Sequence, residues 1–181
     1  MGKWNLYIPS EDSFFLAEYA KHYCGNFALE IGAGSGIILN ALSQNFNTVV
    51  GTDIDYRSLH YYKNNLPKNT MLLCCDAASA VSIKFDFIIS NPPYLPDLNK
   101  TNQDSTIDGG PTGIEYTLHF VRSAISVLQR QGKMLTITSS LSLTSELDKL
   151  IIELNLKKRI IKERKIFFET LSLVEISFIT S

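Results

Sequence analysis

The 181-residue sequence predicts an α/β fold, a mostly parallel sheet covered by helices on both faces with an antiparallel strand pair closing one edge. Three observations carry that expectation. Short apolar runs alternate with stretches of helical periodicity. A glycine-rich turn separates the first such run from its helix. The tail carries two β-rich runs with no helical interval between them. Alternation at this spacing implies right-handed crossovers and a parallel sheet with both faces buried.

Ser10-Glu11-Asp12 sets a capping residue and two carboxylates ahead of Phe14, Phe15, Leu16 and Tyr19, which predicts a helix over residues 10–23. Residues 27–31 are a short apolar run ending at Gly32, after which Ile37, Ile38, Ala41 and Leu42 recur at helical spacing. Residues 48–53 form a second buried strand, followed by a helix from Tyr56 toward Asn65 that stops at Leu66-Pro67. Residues 71–75 and 85–90 supply strands three and four. Residues 114–128 are helical with Gly132 as terminator, 134–138 make strand five, and 144–154 the last helix. From residue 157 to 179, two β-rich runs flank Phe167-Phe168-Glu169-Thr170 and read as an antiparallel pair, with Phe167 and Phe168 expected in the core.

Composition narrows the function. At 45% hydrophobic and 19% charged, residues 1–181 are expected to form a single domain around one core. A formal net charge of −1 argues against a protein whose affinity comes mainly from neutralising phosphates, while a local basic patch stays open. The one basic cluster, Lys157, Lys158, Arg159, Lys162, Arg164 and Lys165, reads as a solvated face or a charged sheet edge. Cys24, Cys74 and Cys75 lack zinc-ligand spacing, and adjacent Cys74 and Cys75 are expected on opposite strand faces, so no metal site and a reduced intracellular protein are expected. The first residues lack a signal peptide, and no apolar run approaches the roughly 20 residues of a membrane span, so a soluble cytoplasmic location is expected.

The chemistry gathers at strand ends. Phe85-Asp86-Phe87-Ile88-Ile89-Ser90 runs into Asn91-Pro92-Pro93-Tyr94. The two prolines remove two N–H donors and fix φ, Asn91 supplies a side-chain acceptor, and Tyr94 offers a flat face. Such a turn suits a planar amide or aromatic amine. Glu30-Ile31-Gly32-Ala33-Gly34-Ser35-Gly36 permits close backbone approach by a ligand. Its spacing departs from the dinucleotide pattern, and a turn that only packs helix on strand stays open. Asp53, and less so Asp55, can bind ribose hydroxyls from the second strand end, and Asp76 can accept from an adenine amino group or be a solvated turn residue. His22, His60 and His119 fall on predicted helices and are given no catalytic role. Residues 95–113 read as a substrate-side lid, with a plain surface connection as the other possibility.

The ordered set Glu30-x-Gly32-x-Gly34-x-Gly36, Asp53, Asp76 and Asn91-Pro92-Pro93-Tyr94 resembles the Rossmann-like class I S-adenosylmethionine-dependent methyltransferases that act on amino nitrogens. Ile8-Pro9-Ser10-Glu11-Asp12-Ser13-Phe14, Gly109-Gly110-Pro111-Thr112-Gly113 and Glu169-Thr170-Leu171-Ser172 narrow the resemblance to the HemK-like branch of archaea and eukaryotes. It implies a seven-stranded sheet, S-adenosyl-L-methionine as cofactor, and as substrate the glutamine in the Gly-Gly-Gln loop of a peptide-chain release factor. It also implies cofactor contacts at Ser13, Glu30, Gly32, Gly34, Asp53, Ile54, Asp76, Ala77 and Asn91. Asn91, Pro92 and Tyr94 are the implied catalytic residues, with Pro93 beside them at the substrate. Ser13 stands where family members carry Thr and keeps the hydroxyl. The chain is expected to lack the N-terminal recognition domain of bacterial relatives, and the resemblance implies a small zinc-binding activator as heterodimer partner. Amino-methylation of adenine or guanine in RNA or DNA, lysine methylation, and a non-catalytic cofactor-binding role are the alternatives.

Overall fold

The computed structural model describes residues 9–96 and 109–179. The chain forms α1 (Glu11–Ala20), β1 (Gly25–Ile31), α2 (Ile37–Leu42), β2 (Phe46–Asp53), α3 (Tyr56–Tyr62), β3 (Thr70–Cys74) and β4 (Phe85–Ser90). It continues as α4 (Glu115–Ile125), β5 (Leu128–Ser139), α5 (Ser145–Glu153), β6 (Leu156–Ile166) and β7 (Glu169–Phe178). The strands make one seven-stranded sheet in the order β3-β2-β1-β4-β5-β7-β6. The first five are parallel, while β7 runs antiparallel to both β5 and β6.

Strand alternation divides the core into two layers. Ala28, Phe87, Ile89, Leu135 and Leu173 pack on one face with Leu16 of α1 and Leu39 of α2. Leu29, Ile31, Ile88, Met134 and Ile176 pack on the other with Val121 of α4 and Leu147 of α5. Both faces of the central strands are therefore apolar, and polar function is confined to the strand ends.

Three expectations need correction. Gly132 does not end a helix: α4 stops at Ile125, and Gly132 lies inside β5. A Cβ there would sit 2.8 Å from Leu128 Cδ1 and 2.9 Å from the Phe85 carbonyl, beside the register shift of the β4–β5 pair, so the glycine serves close strand approach. Phe167 and Phe168 are not core. They form the two-residue turn between paired Ile166 and Glu169, and are 83% and 92% exposed because the turn carries them past the end of the sheet. Cys74 ends β3 and Cys75 lies beyond it, so the two do not alternate across a strand.

One polar cluster is built into the α1 side of the tail. Glu175 on β7 accepts from the Tyr23 hydroxyl at 2.8 Å and Arg159 at 2.9 Å, with Lys133 Nζ at 3.3 Å. Tyr23 in turn stacks on Phe87 with ring centroids 4.2 Å apart, which ties the end of the first helical segment to the sheet. Burial pushes the Glu175 carboxyl up, but the Tyr23 hydroxyl, Lys133 and Arg159 together hold it below the ordinary value. Burial and the Glu175 bond push the Tyr23 hydroxyl up. A carboxyl lowered in the folded state contributes stability above its unfolded pKa and loses it as pH falls through the folded value. Denaturant titration of Glu175→Gln is therefore expected to show a loss of about 1–3 kcal/mol at neutral pH that disappears below the carboxylate range.

Candidate active site

The glycine loop after β1 is drawn over the end of β2. Gly32 and Ala33 both donate to the Thr52 carbonyl at 2.9 Å, and Gly36 donates to Ala33 at 2.8 Å. Gly32 and Gly34 have φ of +79° and +46°, a region that glycine enters at little cost. The turn brings the Gly34 N–H to Asp53 Oδ2 at 2.9 Å, while the Asp55 N–H reaches Oδ1 at 2.9 Å. The Asp53 carboxylate is thus fixed beside the glycine backbone. Asp55 is committed otherwise: it caps α3 through the Arg57 N–H at 3.0 Å, and the Arg57 guanidinium holds its carboxyl below the ordinary value. Of the two carboxylates, Asp53 is the one that lies against the glycine loop.

Glu30 sits beneath this loop, 2% exposed, and its Oε2 has no hydrogen-bond partner among the described residues. Burial, reinforced by the charge of Asp53 and only partly offset by the Leu39 N–H, pushes its carboxyl well above the ordinary value. A buried polar atom in that state is suited to a hydrogen bond that a ligand completes. Ile54 follows Asp53 and is 76% exposed, an apolar side chain at the mouth of the loop.

Asp76 and Ala77 follow β3. Ala77 takes φ +45°, and Ala78 donates to Ser123 Oγ on α4 at 2.9 Å, fastening the turn to that helix. Asp76 Oδ1 lies 2.8 Å from His119 Nε2. The histidine therefore belongs to the surroundings of a predicted site residue, a placement that its helical position did not disclose.

The end of β4 meets the start of α1. Asn91 Nδ2 donates to Asp12 Oδ2 and to Ser13 Oγ, each at 3.2 Å, and the Tyr94 hydroxyl donates to the same Asp12 oxygen at 3.2 Å. Asp12 Oδ1 accepts the Ser13 N–H at 2.7 Å and also the Ser10 hydroxyl. Ser10 occupies the N-cap position, so the predicted cap is present but its hydroxyl serves Asp12. Pro92 is buried, and Ser142 Oγ donates to the Tyr94 carbonyl at 2.6 Å. Gly109 donates to the Leu95 carbonyl at 2.8 Å, and a Cβ on Gly113 would lie 2.5 Å from the Tyr94 carbonyl, so the 109–113 turn packs directly on the Asn-Pro-Pro-Tyr segment. Residues 97–108 of the expected lid lie outside the described residues, as does Ile8.

The predicted site residues therefore gather at the carboxyl end of the parallel strands, where open α/β sheets bind ligands. Ser13 and Asn91 meet directly and Tyr94 joins them through Asp12; Glu30, Gly32, Gly34 and Asp53 form a second group, and Asp76 with Ala77 a third. Asp12, Ser142 and His119 were not expected there. No group of three or more His, Cys, Asp or Glu side chains among the described residues is arranged to hold a metal ion.

The chain is similar to known proteins over most of its length. The family described as the methyltransferase small domain matches residues 11–165. A Methanocaldococcus jannaschii protein, provisionally named a protein N5-glutamine methyltransferase, is 30% identical over 177 residues, covering 93% of this chain and 90% of that one. A Rhodospirillum rubrum release factor glutamine methyltransferase is 31% identical over 108 residues, covering 51% of this chain and 33% of its own length. Among solved structures, the E. cuniculi Mtq2-Trm112 complex, responsible for methylation of the eRF1 translation termination factor, aligns with TM-score 0.78 at 25% identity, over 97% of this chain and 99% of the matched one.

The raised carboxyl of Glu30 has a measurable consequence. A folded-state pKa above the unfolded value means that stability is fully present at low pH and falls as pH rises through the gap. Glu30→Gln should melt higher than wild type near about pH 8 and no higher near about pH 4, each kcal/mol recovered adding about 2–4 °C in a chain of this size.

Proposed function

We propose that this chain, which belongs to the methyltransferase small domain family, transfers a methyl group from S-adenosyl-L-methionine to the side-chain amide nitrogen of the glutamine in the Gly-Gly-Gln loop of a peptide-chain release factor. The observation that carries this proposal is the clamped amide of Asn91. Its Nδ2 is committed as a donor to Asp12 and Ser13, so the acceptor role of the amide falls to Oδ1. An acceptor beside the Pro92 carbonyl, which follows no competing N–H, matches a planar N–H₂ group.

The cofactor fits the groups present. Asp53, held by Gly34 and Asp55, is placed for ribose hydroxyls, Gly32 and Gly34 leave room for the amino-acid arm, and Glu30 Oε2, without a hydrogen-bond partner among the described residues, lies below them. Ile54 offers an apolar wall and Asp76, with Ala77, an acceptor for the adenine amino group. Ser13 joins Asn91 at the reacting end. Once bound, the cofactor supplies an electrophilic methyl on a sulfonium.

The remaining chemistry is positioning. A glutamine amide nitrogen is a weak nucleophile because its lone pair is delocalised, and transfer is an in-line displacement in which orientation contributes much of the rate. Asn91 Oδ1 and the Pro92 carbonyl accept the two amide hydrogens and aim the nitrogen, Tyr94 packs on the amide plane, and Pro93 keeps the turn rigid. The Tyr94 ring is itself fixed by its hydroxyl bond to Asp12 and by Ser142 on its carbonyl. The displaced proton leaves to solvent after transfer.

The rest of the proposal follows from this site. The chain acts as one catalytic domain in the cytoplasm, with the 109–113 turn bordering the substrate. A small zinc-binding activator subunit pairs with the chain. The exposed edge of β3, where Met71 and Leu73 are open to solvent, supports strand addition as its route of binding.

The test uses labelled cofactor, the chain with its activator, and a release factor carrying Gly-Gly-Gln or Gly-Gly-Ala. Only the glutamine form should be labelled; equal labelling of both would overturn the assignment. Asn91→Ala should lower kcat by about 10²–10³-fold with cofactor affinity nearly unchanged, and a matching loss of cofactor binding would contradict the division of roles.

A further inference from the structure

The β6–β7 hairpin ends on the same side of the sheet as the site. Ser139, the last residue of β5, pairs with Leu171, and the turn lies just beyond, between Ile166 and Glu169. Its base is bonded to the loop that leads to the catalytic turn. Ser139 Oγ donates to Glu169 Oε2 at 2.5 Å, Ser140 N–H to the Thr170 carbonyl and Thr170 N–H to Ser140 Oγ at 2.9 Å each. Two residues on, Ser142 holds the Tyr94 carbonyl. One hydrogen-bonded wall thus runs from Tyr94 to the hairpin tip.

The tip is apolar where solvent would favour polar side chains. Phe167 and Phe168 are almost fully exposed, and Leu141 and Leu143 on the adjoining loop are half exposed. Phe167 also has φ +50°. Two-residue hairpins favour glycine or asparagine at such a position, and a bulky side chain there carries a conformational cost. Neither choice serves the stability of the isolated chain. Along β6, Lys158, Arg159 and Arg164 are engaged by Asp148, Glu175 and Glu18, whereas Lys162 and, nearest the tip, Lys165 are exposed and make no ion pair among the described residues, with Glu163 exposed between them.

We infer that this hairpin tip, with Leu141 and Leu143, is the docking surface for the protein that presents the target glutamine, which it grips through an apolar patch bordered by carboxylates. The inference rests on the glutamine assignment and deepens it. Continuity with Tyr94 places the surface where a protein must lie when one of its loops enters the slot. Lys162 and Lys165 supply charge complementary to acidic side chains. Leu141 and Leu143 extend the apolar patch beyond the aromatic pair, and the glutamine assignment makes the occupant a protein; a nucleic acid stacking on Phe167 and Phe168 is an outcome that the test separates. Exposed aromatic anchors rimmed by charge are the pattern of interface hot spots.

The experiment compares wild type with the double variant Phe167→Asn, Phe168→Ser, each as the full chain with its activator. Asparagine tolerates the left-handed backbone, so the turn is kept. Expected is a rise of about tenfold or more in KM for the Gly-Gly-Gln release factor, with kcat and cofactor Kd unchanged and Tm not lowered. A photo-crosslinking phenylalanine analogue at position 168 should capture the release factor. An unchanged KM in the variant, with wild type still labelling glutamine, overturns the docking surface and leaves the glutamine assignment standing. So does a crosslink to RNA or to a second copy of the chain, or a variant that loses Tm and cofactor binding along with KM. A wild type that does not label the release factor, together with no crosslink to it from position 168, overturns both.

Discussion

A buried carboxylate at the start of the first helix organises the molecule's chemistry. Asp12 is 8% exposed and accepts hydrogen bonds from Ser10, from the Ser13 N–H, from Asn91 and from Tyr94. A carboxylate is stable in such a place only when its oxygens are supplied with donors, and the first turn of a helix adds a favourable backbone field. Both conditions are met at one point. The result is a junction in which α1 cannot shift without moving the amide of Asn91 and the ring of Tyr94. Orientation of the acceptor turn is therefore a property of the packing between α1 and β4.

The parallel sheet supplies the other half of the arrangement. Because β1 to β4 share one direction, Glu30, Asp53, Asp76 and Asn91 emerge on one side although they are distant in sequence. The acidic ends of the first three strands form the part that suits a nucleoside, and the fourth forms the part that suits an amide. The antiparallel tail extends that side outward. β7 lies against β5, and its hairpin brings an apolar tip within the same wall as Tyr94. The proposed cofactor groups, acceptor turn and docking rim thus follow one another along the ordered strand ends.

Much of this was legible in the sequence because the information was local. The alternation of apolar runs and helical spacing anticipated the five parallel strands and the two tail runs anticipated the antiparallel pair, while the acidic and amide residues read at strand ends do come together on one side of the sheet. What escaped was long range. Asp12 read as a helix-start residue, and nothing local shows that it meets a partner 79 residues away. His119 read as a helix-surface residue, because only the stacking of α4 over the end of β3 brings it to Asp76, 43 residues distant. Gly132 was misjudged because glycine terminates helices and also permits close strand approach, and periodicity does not separate the two uses. Phe167 and Phe168 were misjudged because hydrophobicity predicts burial only where the fold offers a neighbour. A two-residue turn past the sheet end offers none.

The most direct measurement on the clamp is single-turnover methyl transfer by Asp12→Asn beside wild type. The side-chain oxygen of the new residue would stay on the Ser13 N–H, which turns its own N–H₂ toward Asn91. Two donors would then face each other, and the Asn91 amide is expected to rotate and present Nδ2 to the substrate in place of Oδ1. Transfer should slow by about 10²-fold, the cofactor Kd should stay within about twofold, and adding Asn91→Ala should cost little more. Wild-type transfer rates in Asp12→Asn, or full additivity of the two substitutions, would contradict the account.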